Sequence, residues 1–151
     1  MVRNQERRVA LADAGIRVLA TEGARGLTHR AVDAAAGTPR GTASNYFATR
    51  ADLIAALVQR IGERLTPDPA VSALLRHRQP GREVFGEYVR DIVRRLMGEP
   101  HVTLALFELR LEAARRPDVA GALAEWRRRS FEDDVAFNRT AGLPGDALEI
   151  A

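Results

Sequence analysis

The stretch "VDAAAGTPRGTASNYFATRADL", residues 32–53, changes character three times. Small apolar residues give way to a Gly-Thr-Pro-Arg-Gly break, then to a polar segment ending Tyr46-Phe47, then to a new start at Thr49. Gly37 is a natural helix stop, because glycine enters the left-handed region without steric penalty. Thr38-Pro39 reads as an N-cap followed by proline in the first helical position, where the missing N–H costs nothing. Thr49-x-x-Asp52 has the spacing of a reciprocal cap and opens another helix. The polar segment is thereby confined to a short helix over residues 39–46. A helix that is polar where a core element would be apolar, and bounded on both sides, needs a polar partner outside the protein.

Working outward, helical periodicity continues in both directions, and no window alternates as a strand would. Upstream, Thr28 caps a short helix with Ala31, Val32 and Ala35 inward. Before it, Val9, Ala12, Ile16 and Leu19 form one stripe that ends near Gly23 and Gly26. Downstream, a fourth helix carries Leu53, Ile54, Leu57, Val58, Ile61 and Leu65 and stops at Pro67 and Pro69. A broad apolar stripe follows near 82–97. Pro100 opens a segment with almost no polar face (Val102, Leu104, Ala105, Leu106, Phe107, Leu109), which is expected to be a buried centre. Pro117 opens another helix, whose Arg128–Glu132 and Arg129–Asp133 pairs read as surface pairs. After Gly142-Leu143-Pro144-Gly145, "DALEIA" reads as a helix start with Leu148 and Ile150 inward, too short to hold itself in water. The expectation is an all-α chain that lacks C-terminal helices of the natural protein.

The 151 residues include no cysteine, which excludes disulfides and thiolate zinc sites and suits a reducing cytosol. Neither a signal peptide nor an apolar run of membrane-spanning length is present, so a cytoplasmic protein without membrane contact is expected. Charge is uneven. Residues 1–60 hold nine Arg against five acids, net +4, and residues 61–151 hold fourteen Arg against fifteen acids, net −1. A polyanion is drawn to the first part of the chain.

Two short helices joined by a tight glycine-containing turn, behind a longer helix, form a helix-turn-helix whose second short helix enters the DNA major groove. On this reading Gly41, Thr42 and Ser44, with Ala43, are small so that the backbone approaches closely. Thr28 and Thr38 sit at helix starts suited to phosphate. Arg30, Pro39, Arg40, Tyr46 and Arg50 complete the contact set, and Asn45 is suited to reading adenine. Phe47 is expected inside. The plainer alternative makes Thr28, Thr38 and Thr49 caps and nothing more.

Residues 9–55 resemble the DNA-binding domain of the TetR/AcrR family of bacterial transcriptional repressors. The family run "G-V-S-K-G-T-L-Y-H-Y-F-x-S-K-E-x-L" stands here as "G-T-P-R-G-T-A-S-N-Y-F-A-T-R-A-D-L", Gly37 to Leu53. Gly37, Gly41, Thr42, Tyr46, Phe47 and Leu53 match. Arg40, Thr49, Arg50 and Asp52 are near-equivalents by charge or capping. "GLTHRAVDAAAG", residues 26–37, resembles the preceding helix and its approach. The family's Leu-Tyr-His becomes Ala43-Ser44-Asn45 and its Ser becomes Pro39, which points to preserved docking with an individual base preference.

The resemblance implies residues 1–48 as a DNA-binding domain and 49–151 as a helical ligand-binding and dimerisation domain, incomplete at the C-terminus. It also implies a homodimer in the full-length protein, a palindromic double-stranded operator, a small-molecule inducer, and the fourth helix as a lever. Pocket candidates are Phe85, Tyr88, Met97, Phe107 and Trp126, with His101 or Arg110 as polar anchors. No cofactor or metal is implied. The histidines at 29, 77 and 101 have neither metal-ligand spacing nor a carboxylate partner, and no nucleophile or phosphate-loop motif occurs, so no catalytic residue is assigned. The rival to a regulator is a helical ligand-binding or interaction module with no DNA role.

Overall fold

The computed structural model describes residues 2–78 and 82–140. It is all-α among these residues, with α1 Val2–Gly26, α2 His29–Ala36, α3 Thr42–Tyr46, α4 Arg50–Leu65, α5 Pro69–Arg76, α6 Arg82–Gly98, α7 Pro100–Ala113 and α8 Pro117–Thr140. The segment after Thr140, with Leu148 and Ile150, lies outside the described residues, as does the side chain of Asp133.

The chain divides into two compact units. The first comprises residues 1–64 and 99–126. Its core is drawn from α1 (Leu11, Ile16, Leu19), the α1–α2 link (Leu27), α2 (Val32), Phe47, α4 (Leu53, Ile54, Leu57, Ile61) and α7 (Val102, Leu109), all essentially without solvent contact. Each such side chain contributes roughly 1.5–3 kcal/mol by leaving water. Helices α1 and α4 approach closely at Gly15, where an added Cβ would stand 2.9 Å from a methyl of Leu57. Within α1 the backbone leaves helical geometry at Gly23 (φ 69°), so the break falls at the first of the two glycines and one more turn follows it.

Two expectations of burial fail. Ala35 is exposed and Ala31 only half-buried, because α2 turns a different residue, Asp33, into the interior. Helix α7 buries Val102, Ala105, Leu106 and Leu109 but leaves Leu104, Phe107 and Leu111 exposed, so it is buried on one face and not all round. Its near-continuous apolar sequence carries no periodic signal that would have told the two faces apart.

The second unit comprises residues 65–98 and 127 onward. Asp68 caps α5 by accepting from Ala70 N at 2.8 Å, with Pro69 in the first turn. Leu75 and Val84 form a small buried pair, against which Val71 and Tyr88 pack. Asp91, nearly buried, accepts from Arg95 Nε at 2.9 Å, and the same guanidinium donates to the Leu65 carbonyl. The Arg128–Glu132 pair forms at 3.2 Å with both side chains exposed, where its contribution is a few tenths of a kcal/mol.

An ion cluster ties α4 to its neighbours in the first unit. Arg60 donates to both oxygens of Asp13 on α1, at 2.9 and 3.1 Å. Arg64 donates to both oxygens of Glu99, just before α7, at 2.7 and 2.6 Å, and reaches Asp13 at 3.3 Å. Burial alone would raise the Asp13 carboxyl, but hydrogen bonds and charge from Arg60 and Arg64 outweigh it and hold the group below the usual carboxylate range. A carboxyl whose folded pKa is depressed contributes stability above its unfolded pKa, near 3.9, and loses it as pH falls through the folded value. Asp13→Asn is therefore expected to cost on the order of 1 kcal/mol near neutrality, measured by urea unfolding. The deficit should shrink towards zero as the medium is acidified below about pH 4. A deficit that stays constant over that range would exclude the carboxylate charge as its source.

Candidate nucleic-acid interface

The expected reading helix begins later than its proline suggested. Thr42 N donates to Pro39 O at 3.1 Å in a tight turn, and Gly41 stands at φ 88°, a left-handed conformation that no helix interior accommodates. Pro39 and Arg40 thus belong to the turn, and α3 runs only from Thr42 to Tyr46. Thr38 is not its N-cap: the Thr38 hydroxyl faces backwards and donates to Asp33 Oδ1 at 3.2 Å. The other capping expectations hold. Thr28 Oγ1 accepts from Ala31 N at 3.1 Å. Gly37 closes α2 at φ 63°. Thr49 and Asp52 cap each other, Asp52 N donating to Thr49 Oγ1 at 3.0 Å and Thr49 N to Asp52 Oδ2 at 2.9 Å.

Five residues form barely one turn, so α3 is fixed by its surroundings. At its start, Asp33 Oδ2 accepts from Gly41 N at 2.8 Å and Oδ1 from Ala43 N at 2.7 Å. At its end, Arg8 donates to Tyr46 O at 3.0 Å and stacks over the Phe47 ring, 4.7 Å from its centroid. His29 Nε2 donates to Phe47 O at 2.8 Å. Beneath, Ala43 and Phe47 are fully buried.

The outer side carries the expected residues. Thr28, Arg30, Pro39, Arg40, Gly41, Ser44 and Asn45 are exposed, and Thr38, Thr42 and Tyr46 are half-buried. Among the described residues no hydrogen bond or ion pair engages the side chains of Arg30, Arg40 or Asn45. The hydroxyls of Thr42 and Ser44 donate to Pro39 O (2.6 Å) and Gly41 O (2.9 Å), so they offer lone pairs outward and suit donor edges of bases better than phosphate. Arg50 departs from expectation. Its guanidinium donates to Ala24 O at 2.7 Å and to Leu27 O, fastening the end of α1 to α4.

The comparisons with known proteins bear on this arrangement. The family model described as "Bacterial regulatory proteins, tetR family" matches residues 11–57, and the model "Tetracyclin repressor-like, C-terminal domain" matches residues 80–151. The crystal structure of the multidrug binding protein EbrR complexed with imidazole is 33% identical, covering 89% of this chain and 72% of that one, with a TM-score of 0.68. The chain belongs to the TetR family. A TetR-family structure from Streptomyces coelicolor is 32% identical over 90% of this chain and 75% of its own, also with a TM-score of 0.68. The HTH-type transcriptional regulator BetI of Rhizobium meliloti is 29% identical over 143 residues, 95% of this chain and 69% of BetI. As a TetR-family member the protein is a DNA-binding transcriptional regulator and not an enzyme.

The ligand-pocket candidates fall in both units. Phe85, Tyr88 and Met97 lie on α6, with Met97 77% exposed, Phe85 exposed and Tyr88 half-buried. His101, Phe107 and Arg110 lie on α7 and are exposed, with the Arg110 guanidinium 5.8 Å from the Phe107 ring centroid. Trp126 is half-buried against α4: a Cβ on Gly62 would stand 2.5 Å from its Nε1, so the indole lies directly on the backbone of the fourth helix.

Sequence reasoning missed three residues that shape the interface, Asp33, Arg8 and His29. Only Asp33 left a signal, an acid set among alanines in "RAVDAAAG". Arg8 acts 38 residues from its partner, a distance that local pattern does not span.

Arg50 supplies a direct test of this reassignment. Arg50→Ala leaves the carbonyls of Ala24 and Leu27 without their donor and is expected to lower unfolding stability by roughly 1–3 kcal/mol. The slope of log binding constant against log salt for duplex DNA should not change. A slope reduced by about one, with stability intact, would return Arg50 to the phosphate-contacting set.

Proposed function

We propose that the chain is a repressor that binds a palindromic operator as a homodimer and is released by a small-molecule inducer, acting in the cytoplasm. Residues 1–48 are the DNA-reading part and residues 49–151 serve ligand binding and dimerisation. Each subunit lays α3 in the major groove, the half-sites lying one helical turn, roughly 34–36 Å, apart or a multiple of it. Asn45 reads a base edge, adenine by its donor–acceptor pattern, while Arg40, Arg30, Thr28 and Tyr46 hold the phosphates. Thr38, Pro39, Gly41, Thr42 and Ser44 form the close-approach surface between them.

The observation that carries this reading is the contrast between the two sides of α3. Its inner side and both ends are bonded to the protein, whereas Arg40 and Asn45 project outward with their donors unengaged among the described residues. An arginine and an amide left so in a tight turn and helix have no role in holding the fold.

For release, the support is the likeness to EbrR, which has been solved with imidazole and with ethidium. We infer a small ligand of aromatic or apolar character, for which Phe85, Tyr88 and Met97 are the candidate contacts in the second unit and Phe107 and Trp126, with His101 or Arg110 as polar anchors, those in the first. A ligand that displaces the Trp126 indole shifts a group lying on Gly62 of α4, the helix that leads directly from α3. Only a difference in ligand affinity between the two positions of α4 moves the equilibrium.

Selection of bound fragments from a random duplex pool is expected to yield a palindrome. On the selected duplex, Asn45→Ala should relax preference at one base pair per half-site by about 1–3 kcal/mol. Arg40→Ala should weaken binding to all sequences and reduce the salt slope by about one per subunit. Unchanged affinity in both variants, by fluorescence anisotropy, would refute the assigned reading face.

A further inference from the structure

We propose that Asp33 is the positioning residue for sequence reading: an acid that cannot touch DNA sets the rotation and depth of α3, and with them the base preference of this chain. The inference rests on the DNA-reading role proposed above for α3.

An Asp in the middle of a helix among alanines is locally unfavourable, since its short polar side chain competes with the helix backbone. Burying it is costlier still unless its oxygens are bonded. Asp33 is only 2% exposed, so something must compensate, and what compensates is α3. Oδ2 accepts from Gly41 N (2.8 Å), and Oδ1 accepts from Ala43 N (2.7 Å) and from the Thr38 hydroxyl (3.2 Å). The Asp33 backbone oxygen takes Thr38 N at 2.9 Å. One acid therefore holds the entry to the turn, the glycine at its corner and the first turn of the reading helix.

Helix α3 has no capping side chain of its own, since its N-cap is Gly41. The amides that a Ser, Thr or Asp would satisfy from within are satisfied from α2 instead. This difference has a geometric consequence. A cap within the helix moves with it, whereas a cap from a neighbouring helix fixes one helix to the other. Two amides bonded to the two oxygens of one planar carboxylate restrain rotation about the α3 axis as well as distance. Successive residues on a helix are offset by about 100°, so a rotation about the α3 axis that turns Asn45 away from the outer side brings Ser44 towards it, or the reverse. Ala43, fully buried, provides the close seat on which such a rotation would turn.

Charge alone predicts the opposite effect of removing Asp33. A negative group under a surface that meets phosphate repels it, so neutralisation should tighten binding if electrostatics governed. Positioning predicts looser and less selective binding, because only a fraction of molecules would then present α3 correctly.

The experiment compares the 151-residue chain with Asp33→Asn and Asp33→Ala, on the selected duplex and on an unrelated duplex, across a salt series. Amide hydrogen exchange is read in the same samples. Expected for Asp33→Ala is a loss on the order of tenfold or more on the selected duplex, corresponding to a correctly presented fraction near one tenth. Asp33→Asn, which keeps one acceptor oxygen, should fall between Asp33→Ala and the wild type. Affinity for the unrelated duplex and the salt slope should be preserved. Exchange should quicken at Gly41 and Ala43 while α1 and α4 stay protected. Unchanged or tighter selected binding in folded Asp33→Asn overturns the proposal. So does an equal loss on both duplexes with faster exchange throughout, which marks a residue needed only for folding. If the wild type binds no duplex, the regulator reading fails, and the exchange at Gly41 and Ala43 alone decides whether Asp33 fixes α3.

Discussion

A helix of five residues completes almost none of its own i→i−4 bonds, so its conformation and direction are imposed from outside. In this protein the imposition comes from side chains on two other helices. Asp33 of α2 takes amides at the start of α3, Arg8 of α1 and His29 of α2 take carbonyls at its end, and Phe47 anchors the exit in the core. The polarity of the arrangement is consistent. The acid meets the helix start and the base meets the helix end, each where the backbone dipoles favour it. The same donors and acceptors satisfy groups that a short helix cannot satisfy internally. Everything on the outer side depends on this, since Arg40 and Asn45 keep a fixed direction only if the backbone beneath them holds still.

The electrostatic field follows from the same division of labour. Residues 1–60 carry a net charge of +4, and several of their arginines are committed within the protein. Arg8 serves α3, Arg50 serves the end of α1, and Arg60 is neutralised by Asp13. Arg7, Arg25, Arg30 and Arg40 remain exposed. Of these, Arg30 at the start of α2 and Arg40 in the turn both precede α3 in sequence. Two of the acids are drawn inward in the same way, Asp33 into the α2–α3 junction and Asp13 into the ion cluster, where hydrogen bonds offset their desolvation, while Glu6, Glu22 and Asp52 stay exposed.

Much of this was legible before any coordinates. Capping residues act within four positions, so Thr28, Gly37, Thr49 and Asp52 announced the ends of α2 and the start of α4. The family run from Gly37 to Leu53 announced what lies between. What failed were inferences in which two local rules competed. Pro39 fits a first helical turn, but the left-handed Gly41 two residues on forbids a helix through it, so the turn won. Ala35 fits an inward stripe, but the bonds available to Asp33 set the rotation of α2. Arg50 fits a phosphate contact by position, yet two carbonyls lie within reach of its guanidinium. For Ala35 and Arg50 the deciding contact is a hydrogen bond between residues distant in sequence, and sequence periodicity carries no trace of it.

The ion cluster constrains how a ligand could act at a distance. Arg60 and Arg64 lie four apart on α4, one side chain bound to α1 and the other to the residue that precedes α7. A swing of α4 against α1 must break or stretch the bidentate pair with Asp13, and a swing against α7 the pair with Glu99. Partly exposed pairs of this kind resist by on the order of 1 kcal/mol each, enough to bias an equilibrium and too little to lock it. Gly15 and Gly62 add a steric term of the opposite kind, since both place helix backbone directly against a large side chain, Leu57 and Trp126. Packed contacts of this sort shift between discrete arrangements and do not yield gradually. A helix held by modest ionic bonds and seated on two close contacts has the makings of a two-position element, and the start of α4 is only three residues from the end of α3. A movement at Gly62 would therefore reach α3 through one helix, without any chain of intermediate side chains.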